Sequence, residues 1–344
     1  MKPRRLWLTG IAGACAALLL FASGAWGAFA LAYRAPGPRA LRLVCAGLWA
    51  VGCAVCWVAW IAGYAGGGAL LVLAHAMLLV WWVTMRPRND RVWADDVACL
   101  LTGEVDGDRV VLHNVRDFVW RAETDYDIRW DTRAFDLRRL DRVDAILSYW
   151  ASEAIAHAML SFGFDDGRHV VFSVEIRRKR GEAFSEIGGF FRQFELILIA
   201  ADERDIVRVR TNVRGEDDYV FPLRMPADAM RSLFKSYVQA ANELARKPRF
   251  YNTVTSNCTT IVYRMARRID GALPFDLRLL LTGYLPEYFR ATGTLDRRLS
   301  VDEWRALGRI TQRARATTPE DDFSAAIRVG VPAAQSPPSG DSTT

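Results

Sequence analysis

Residues 155–176 read IAHAMLSFGFDDGRHVVFSVEI, and the turn at their centre decides how the surrounding chain folds. Asp165-Asp166-Gly167 suits a three-residue hairpin loop with glycine at the left-handed position. That loop sets residue 157 opposite 175 and residue 159 opposite 173. One face then carries Ala158, Leu160, Phe162 and Phe164 against Val170, Phe172, Val174 and Ile176, wholly apolar. A slip of one residue would mix polar and apolar side chains on both faces, which burial of one face forbids. The other face carries His157, Ser161, Ser173 and Glu175, making His157 and Glu175 direct cross-strand neighbours. A carboxylate so placed holds an imidazole in one tautomer and stabilises its charged form, as the third member of a catalytic triad does. The same pair also fits a solvent-facing strand with no role. His169 lies by the turn and His113 on an upstream strand, so both read as structural or surface residues.

Upstream, Arg109–His113 and Phe118–Trp120 read as short strands, and Asp144–Trp150 leads into the hairpin. Downstream, residues 227–246 place Met230, Leu233, Phe234, Tyr237, Val238, Ala241 and Leu244 on one helical stripe, with Asp228 as the expected cap. A second helix is expected to open at Cys258. Thr255, Ser256 and Asn257 supply capping residues, Ile261, Val262, Met265 and Ile269 recur at helical spacing, and Gly271 ends the pattern. In a first turn, free N–H groups and the helix dipole favour a thiolate, and the same N–H groups suit an oxyanion. The position equally fits a buried structural cysteine. Asn257 and Ser173 are secondary candidates for orienting substrate or an oxyanion, and Asn257 also reads as a plain helix cap. Gln193 and Glu195, or Arg204 and Arg210, could line the cleft, but each reads rather as part of a solvated or ion-paired surface.

The first 85 residues differ in kind. Leu6–Tyr33, Leu43–Tyr64 and Ala69–Met85 are apolar stretches long enough to approach or exceed a bilayer crossing. Residues 1–85 are therefore expected as a membrane anchor of about three helices, residues 86–316 as the folded domain, and residues 317–344 as a disordered tail rich in Pro, Ser, Thr and Ala. Three spans with a cytoplasmic N-terminus put the domain outside the cytoplasm. His75, alone in the third span, reads as packed. Of six cysteines, Cys15, Cys45, Cys53 and Cys56 fall in the apolar part, leaving Cys99 and Cys258 for the domain. Cys53 and Cys56 have no second pair or nearby histidine, which argues against a metal or redox site. The net charge of +6 comes from scattered arginines, so no nucleic-acid-binding stripe is present and none is expected as a partner. No cofactor motif is found.

Several of these segments resemble one family. Ala156-His-Ala-Met-Leu-Ser-Phe162, Phe172-Ser-Val-Glu-Ile-Arg177 and Thr255-Ser-Asn-Cys-Thr-Thr260, in that order, look like the Lnb N-terminal periplasmic domain family. Phe191-Arg-Gln-Phe-Glu-Leu196, the segments Ala201–Arg204 and Arg210–Asn212, and His113-Asn-Val-Arg116 resemble it too, over about residues 86–270. The resemblance implies an α+β, circularly permuted papain-like (NlpC-type) domain with an antiparallel sheet and a nucleophile helix. It implies a multi-pass protein of the bacterial inner membrane with its domain facing the periplasm, with Cys258 as nucleophile and His157 as base. It further implies acyl transfer or hydrolysis on lipid or lipoprotein-type substrates. A cell-envelope cysteine peptidase or amidase, and a non-catalytic membrane-associated binding or assembly protein, are the alternatives.

Overall fold

The structure is a computed structural model that describes residues 3–334, with side chains from residue 15 onward. It divides into two compact units, Met1–Pro87 with Ser185–Gln193, and Arg88–Phe184 with Phe194–Thr344. The first boundary falls two residues beyond the expected one, and the short segment Ser185–Gln193 joins the first unit.

The first unit holds α1 (Pro3–Arg34), α2 (Arg39–Ile61) and α3 (Ala65–Thr84). All three are long and apolar enough to cross a membrane. Gly27 lets α1 approach closely, because a Cβ there would overlap the Trp49 indole and Leu78. Trp49 Nε1 donates to the Gly24 carbonyl at 3.0 Å. Ser185–Gln193 contributes the short helix α4 (Glu186–Phe190).

The second unit is built on β1 (Thr102–Asp106), β2 (Arg109–Arg116), β3 (Val119–Ala122), β4 (Asp125–Asp127), β5 (Trp130–Asp136), β6 (Leu140–Ser152), β7 (Ile155–Phe164), β8 (His169–Arg177), β9 (Glu195–Ala201) and β10 (Asp217–Leu223). Its eight-stranded sheet runs β1-β2-β9-β8-β7-β6-β10, with β5 also on β2, while β3 and β4 pair separately. The sheet is mixed, since β2 meets β9 in parallel at Arg116 and Ala201. The expected purely antiparallel sheet is corrected at this one joint.

The hairpin register is the one that the turn dictates. Met159 pairs with Ser173 and Gly163 with His169, and Gly167 has φ +83°. Its apolar face, with Phe162 and Phe172 fully buried, packs under α6 (Ala227–Arg246) and α7 (Cys258–Ile269). All seven residues of the expected α6 stripe are buried. Asp228 is not its cap: Pro226 occupies that place, and Asp228 pairs with Arg231.

The opposite face of the sheet is also covered. Met159, Val171, Ile197, Ile199 and Val220 pack with residues of α5 (Glu203–Arg208), α10 (Thr311–Ala316) and α11 (Phe323–Ile327). Between α7 and α10 lie α8 (Leu285–Thr292) and α9 (Val301–Gly308). The tail expected from residue 317 is therefore corrected as far as residue 334. Phe323 and Ile327 are buried, and Arg328 is drawn inward by Glu203 and Asp144 at 2.5 and 2.9 Å. Residues 335–344 of that expected tail lie outside the described residues.

Candidate active site

Asn257 caps α7, so Cys258 is its first residue. The Asn257 Oδ1 accepts from the N–H groups of Thr259 and Thr260 at 3.1 and 2.8 Å, and the Asn257 N–H donates to Thr260 Oγ1. This capping box leaves the Cys258 N–H as the first-turn donor without a hydrogen bond among the described residues. Asn257 Nδ2 donates to the Thr253 carbonyl at 2.7 Å, so its amide is engaged at both ends and is held as a cap. That side chain, considered above both as a cap and for an oxyanion, serves as the helix cap.

The start of β7 is pinned just before His157. Thr282 Oγ1 accepts from the Ala156 N–H at 2.9 Å and donates to the Ala156 carbonyl at 2.5 Å. Gly283 N–H donates to the Ala154 carbonyl, and any Cβ on Gly283 would overlap the Glu153 carbonyl. This clasp comes from more than a hundred residues downstream and has no local sequence signal.

The paired ladder between β7 and β8 stops at Met159, and beyond it the side chains of 157 and 175 meet. His157 Nε2 lies 3.1 Å from Glu175 Oε1 and 2.7 Å from Ser173 Oγ, which in turn donates to Glu175 Oε1 at 2.8 Å. With Nε2 so engaged, Nδ1 is the nitrogen left for the thiol, and Cys258 and His157 are hydrogen-bonded. The Ala158 N–H also donates to the Cys258 sulfur. His157, Ser173, Glu175 and Cys258 thus come together, with Cys258 8% exposed and so not sealed.

Charge completes the arrangement. Burial disfavours an imidazolium, but the Glu175 carboxylate outweighs it and raises His157 from 6.5 to about 9. Burial also opposes a thiolate. The hydrogen bond and charge of His157 and the Ala158 N–H nevertheless hold Cys258 below its ordinary value. Glu175, despite its own burial, is kept well below the usual carboxylate range by His157 and then Arg210. Both shifts favour a thiolate beside an imidazolium.

Arg210 stands closer to the site than the sequence reading placed it. It was expected to be solvated or ion-paired, and it is ion-paired yet buried. It donates to Glu175 Oε1 and Glu216 Oε2 at 3.0 Å each. It sits on a π-helical turn, Val209–Arg214, a feature frequent at functional sites. Glu216 and Asp218 converge on the Ser148 hydroxyl, extending the polar chain below the site. Of the other residues considered, His113 is half-buried near Glu104, His169 bonds the Gly167 carbonyl, and His75 bonds the Leu71 carbonyl within α3. Cys53, Cys56 and Cys99 are free thiols. A surface cavity of about 500 Å³, lined by Asp106, Asp108, Arg138 and Arg168 among others, includes none of the site residues.

Residues 126–283 match the model of the Lnb N-terminal periplasmic domain family. The matched stretch holds His157, Ser173, Glu175, Arg210, Cys258 and the Thr282 clasp, whereas the His113 motif falls outside it. No curated protein and no solved structure matches the chain. Residues 126–283 thus carry the signature of the Lnb N-terminal periplasmic domain family.

Proposed function

We propose that this protein is a membrane-anchored thiol enzyme that transfers or hydrolyses acyl groups of lipid or lipoprotein-type substrates. The observation that carries the reading is the Cys258–His157 pair, backed by Ser173 and Glu175, at the open end of a helix. His157 preceding Cys258 in the chain, and a nucleophile helix packed on the sheet, support a circularly permuted papain-like arrangement. The three apolar helices support a multi-pass anchor in the bacterial inner membrane, beside the substrates named.

The chemistry follows a ping-pong course. The Cys258 sulfur attacks an ester or amide carbonyl carbon, and the carbonyl electron pair moves to oxygen. The Cys258 N–H stabilises that oxyanion. Collapse of the intermediate expels the leaving alcohol or amine, which takes the proton of His157, and leaves a thioester on Cys258. Neutral His157 then takes a proton from an acceptor amine or water as it attacks the thioester, and the sulfur departs as thiolate. Glu175 and Ser173 hold Nε2 through both halves.

The test is intact-mass analysis of the full-length protein purified with native lipids. An adduct of acyl mass that disappears in Cys258→Ser is expected. A peptidyl adduct would overturn the acyl assignment in favour of a peptidase. A Cys258 that labels with a thiol probe no faster than a surface cysteine, and is indifferent to His157→Ala, would remove the enzyme reading altogether.

A further inference from the structure

Residues 185–193 join β8 to β9 in sequence, yet they fold with the apolar helices. The Phe191 ring stacks on Phe29 and Tyr33 at 5.4 and 5.8 Å and meets Trp82 edge-on at 6.5 Å. Arg192 lies 4.8 Å over the Trp82 ring and donates to the Trp82 carbonyl at 2.5 Å. It does so from a left-handed backbone, φ 54°, that a non-glycine residue holds only when its surroundings enforce it. Ser185 caps α4 and donates to the Tyr33 hydroxyl at 3.3 Å. The Gln193 amide packs onto Gly188, where a Cβ would displace it.

A segment so firmly built still leaves Ile187 49% and Phe190 47% exposed. Its depth is set by the rings that it stacks on. Tyr33 is the next-to-last residue of α1, and Trp82 lies two residues before the end of α3. Tyrosine and tryptophan at span ends mark the boundary between headgroups and acyl chains. An apolar pair on a segment anchored to those rings lies at the same level.

We propose that residues 185–193 form an interfacial membrane wedge, with Ile187 and Phe190 inserted at the headgroup–acyl boundary of the bilayer. The wedge is continuous with the lipid-facing surface of the helices, where Val80 and Val83 are 60% exposed. The inference rests on the reading of α1 and α3 as membrane spans, not on the thiol chemistry.

The test uses the full chain in vesicles of phosphatidylethanolamine and phosphatidylglycerol. The photoreactive residue p-benzoylphenylalanine replaces, one at a time, Ile187, Phe190, Val83 in α3, and the exposed Ile128 of the second unit. After irradiation, lipid adducts are counted by intact mass. Adducts at positions 187 and 190 are expected at the level of position 83 and about tenfold above position 128. Labelling at 83 but not at 187 and 190 overturns the wedge and leaves the spans standing. Labelling at none of 83, 187 and 190 overturns both. Labelling at 187 and 190 no greater than at 128, or adducts to protein in place of lipid, overturns the wedge.

Discussion

Replacing His157 with alanine tests the site most directly, because the thiolate depends on this one side chain. Four influences act on Cys258: burial and the Glu175 carboxylate push its pKa up, whereas His157, through its hydrogen bond and charge, and the Ala158 N–H push it down. Without the imidazole, burial is opposed by a single backbone donor, and the thiol titrates no lower than about its ordinary value of 9.0. At pH 7 about 1% of such a thiol is ionised, so full ionisation of the native one sets a ceiling of roughly 100-fold in thiolate. A low-pKa thiolate is also a weaker nucleophile, with a Brønsted slope of ~0.4–0.5, which takes back about half of that factor on a logarithmic scale. Alkylation of Cys258 by iodoacetamide at pH 7 should therefore slow by about tenfold in His157→Ala. The rate is read by peptide mass spectrometry on the detergent-solubilised chain, with Cys99 as internal reference. The native profile should lie at lower pH than that of the variant and break near pH 9, where His157 loses its proton. That of the variant should still be rising there. An unchanged rate and profile in His157→Ala would refute the ion pair.

Glu175→Gln removes the charge that outweighs burial at His157, so the imidazolium is lost near neutrality. The alkylation profile of Cys258 should move to higher pH, and an unmoved profile would deny Glu175 its role. Thr282→Val deletes both hydrogen bonds to Ala156 and leaves those buried groups unpaired, at a cost of about 1–3 kcal/mol. Thermal unfolding measures the cost, and slowed labelling of Cys258 should accompany it if the clasp positions His157. Arg328→Ala leaves the buried Glu203 without its cation, while Asp144 keeps Arg142, a loss of about 3–5 kcal/mol near neutral pH. The sign with pH is defined. Glu203 is buried, yet Arg328 holds it at about 2 against an ordinary 4.5. Its contribution is therefore present above pH 4.5 and fades as pH falls towards 2. The gap in melting temperature between native and variant chains should narrow on acidification, and a gap that widens would contradict the pairing.

Much of this protein was legible from local pattern. The Asp165-Asp166-Gly167 turn and the alternation around it determined the register that brings residues 157 and 175 together, because strand period and turn geometry are local quantities. The stripe of α6 and the placement of Cys258 at the head of a capped helix followed from helical spacing and capping chemistry in the same way. What the tertiary structure decided was everything that depends on strand order. With β9 beside β8 and α5 following it, the second face of the hairpin is roofed over, so His157 and Glu175 lie in a low-dielectric setting where their charges act strongly. Strand order likewise brings in Arg210, Thr282 and Arg328, each from a distant part of the chain, and no periodicity encodes such partners. The apolar pattern also could not foretell that residues 185–193 fold with the helices. Their affinity for Phe29, Tyr33 and Trp82 arises between segments, and only packing brings those segments together.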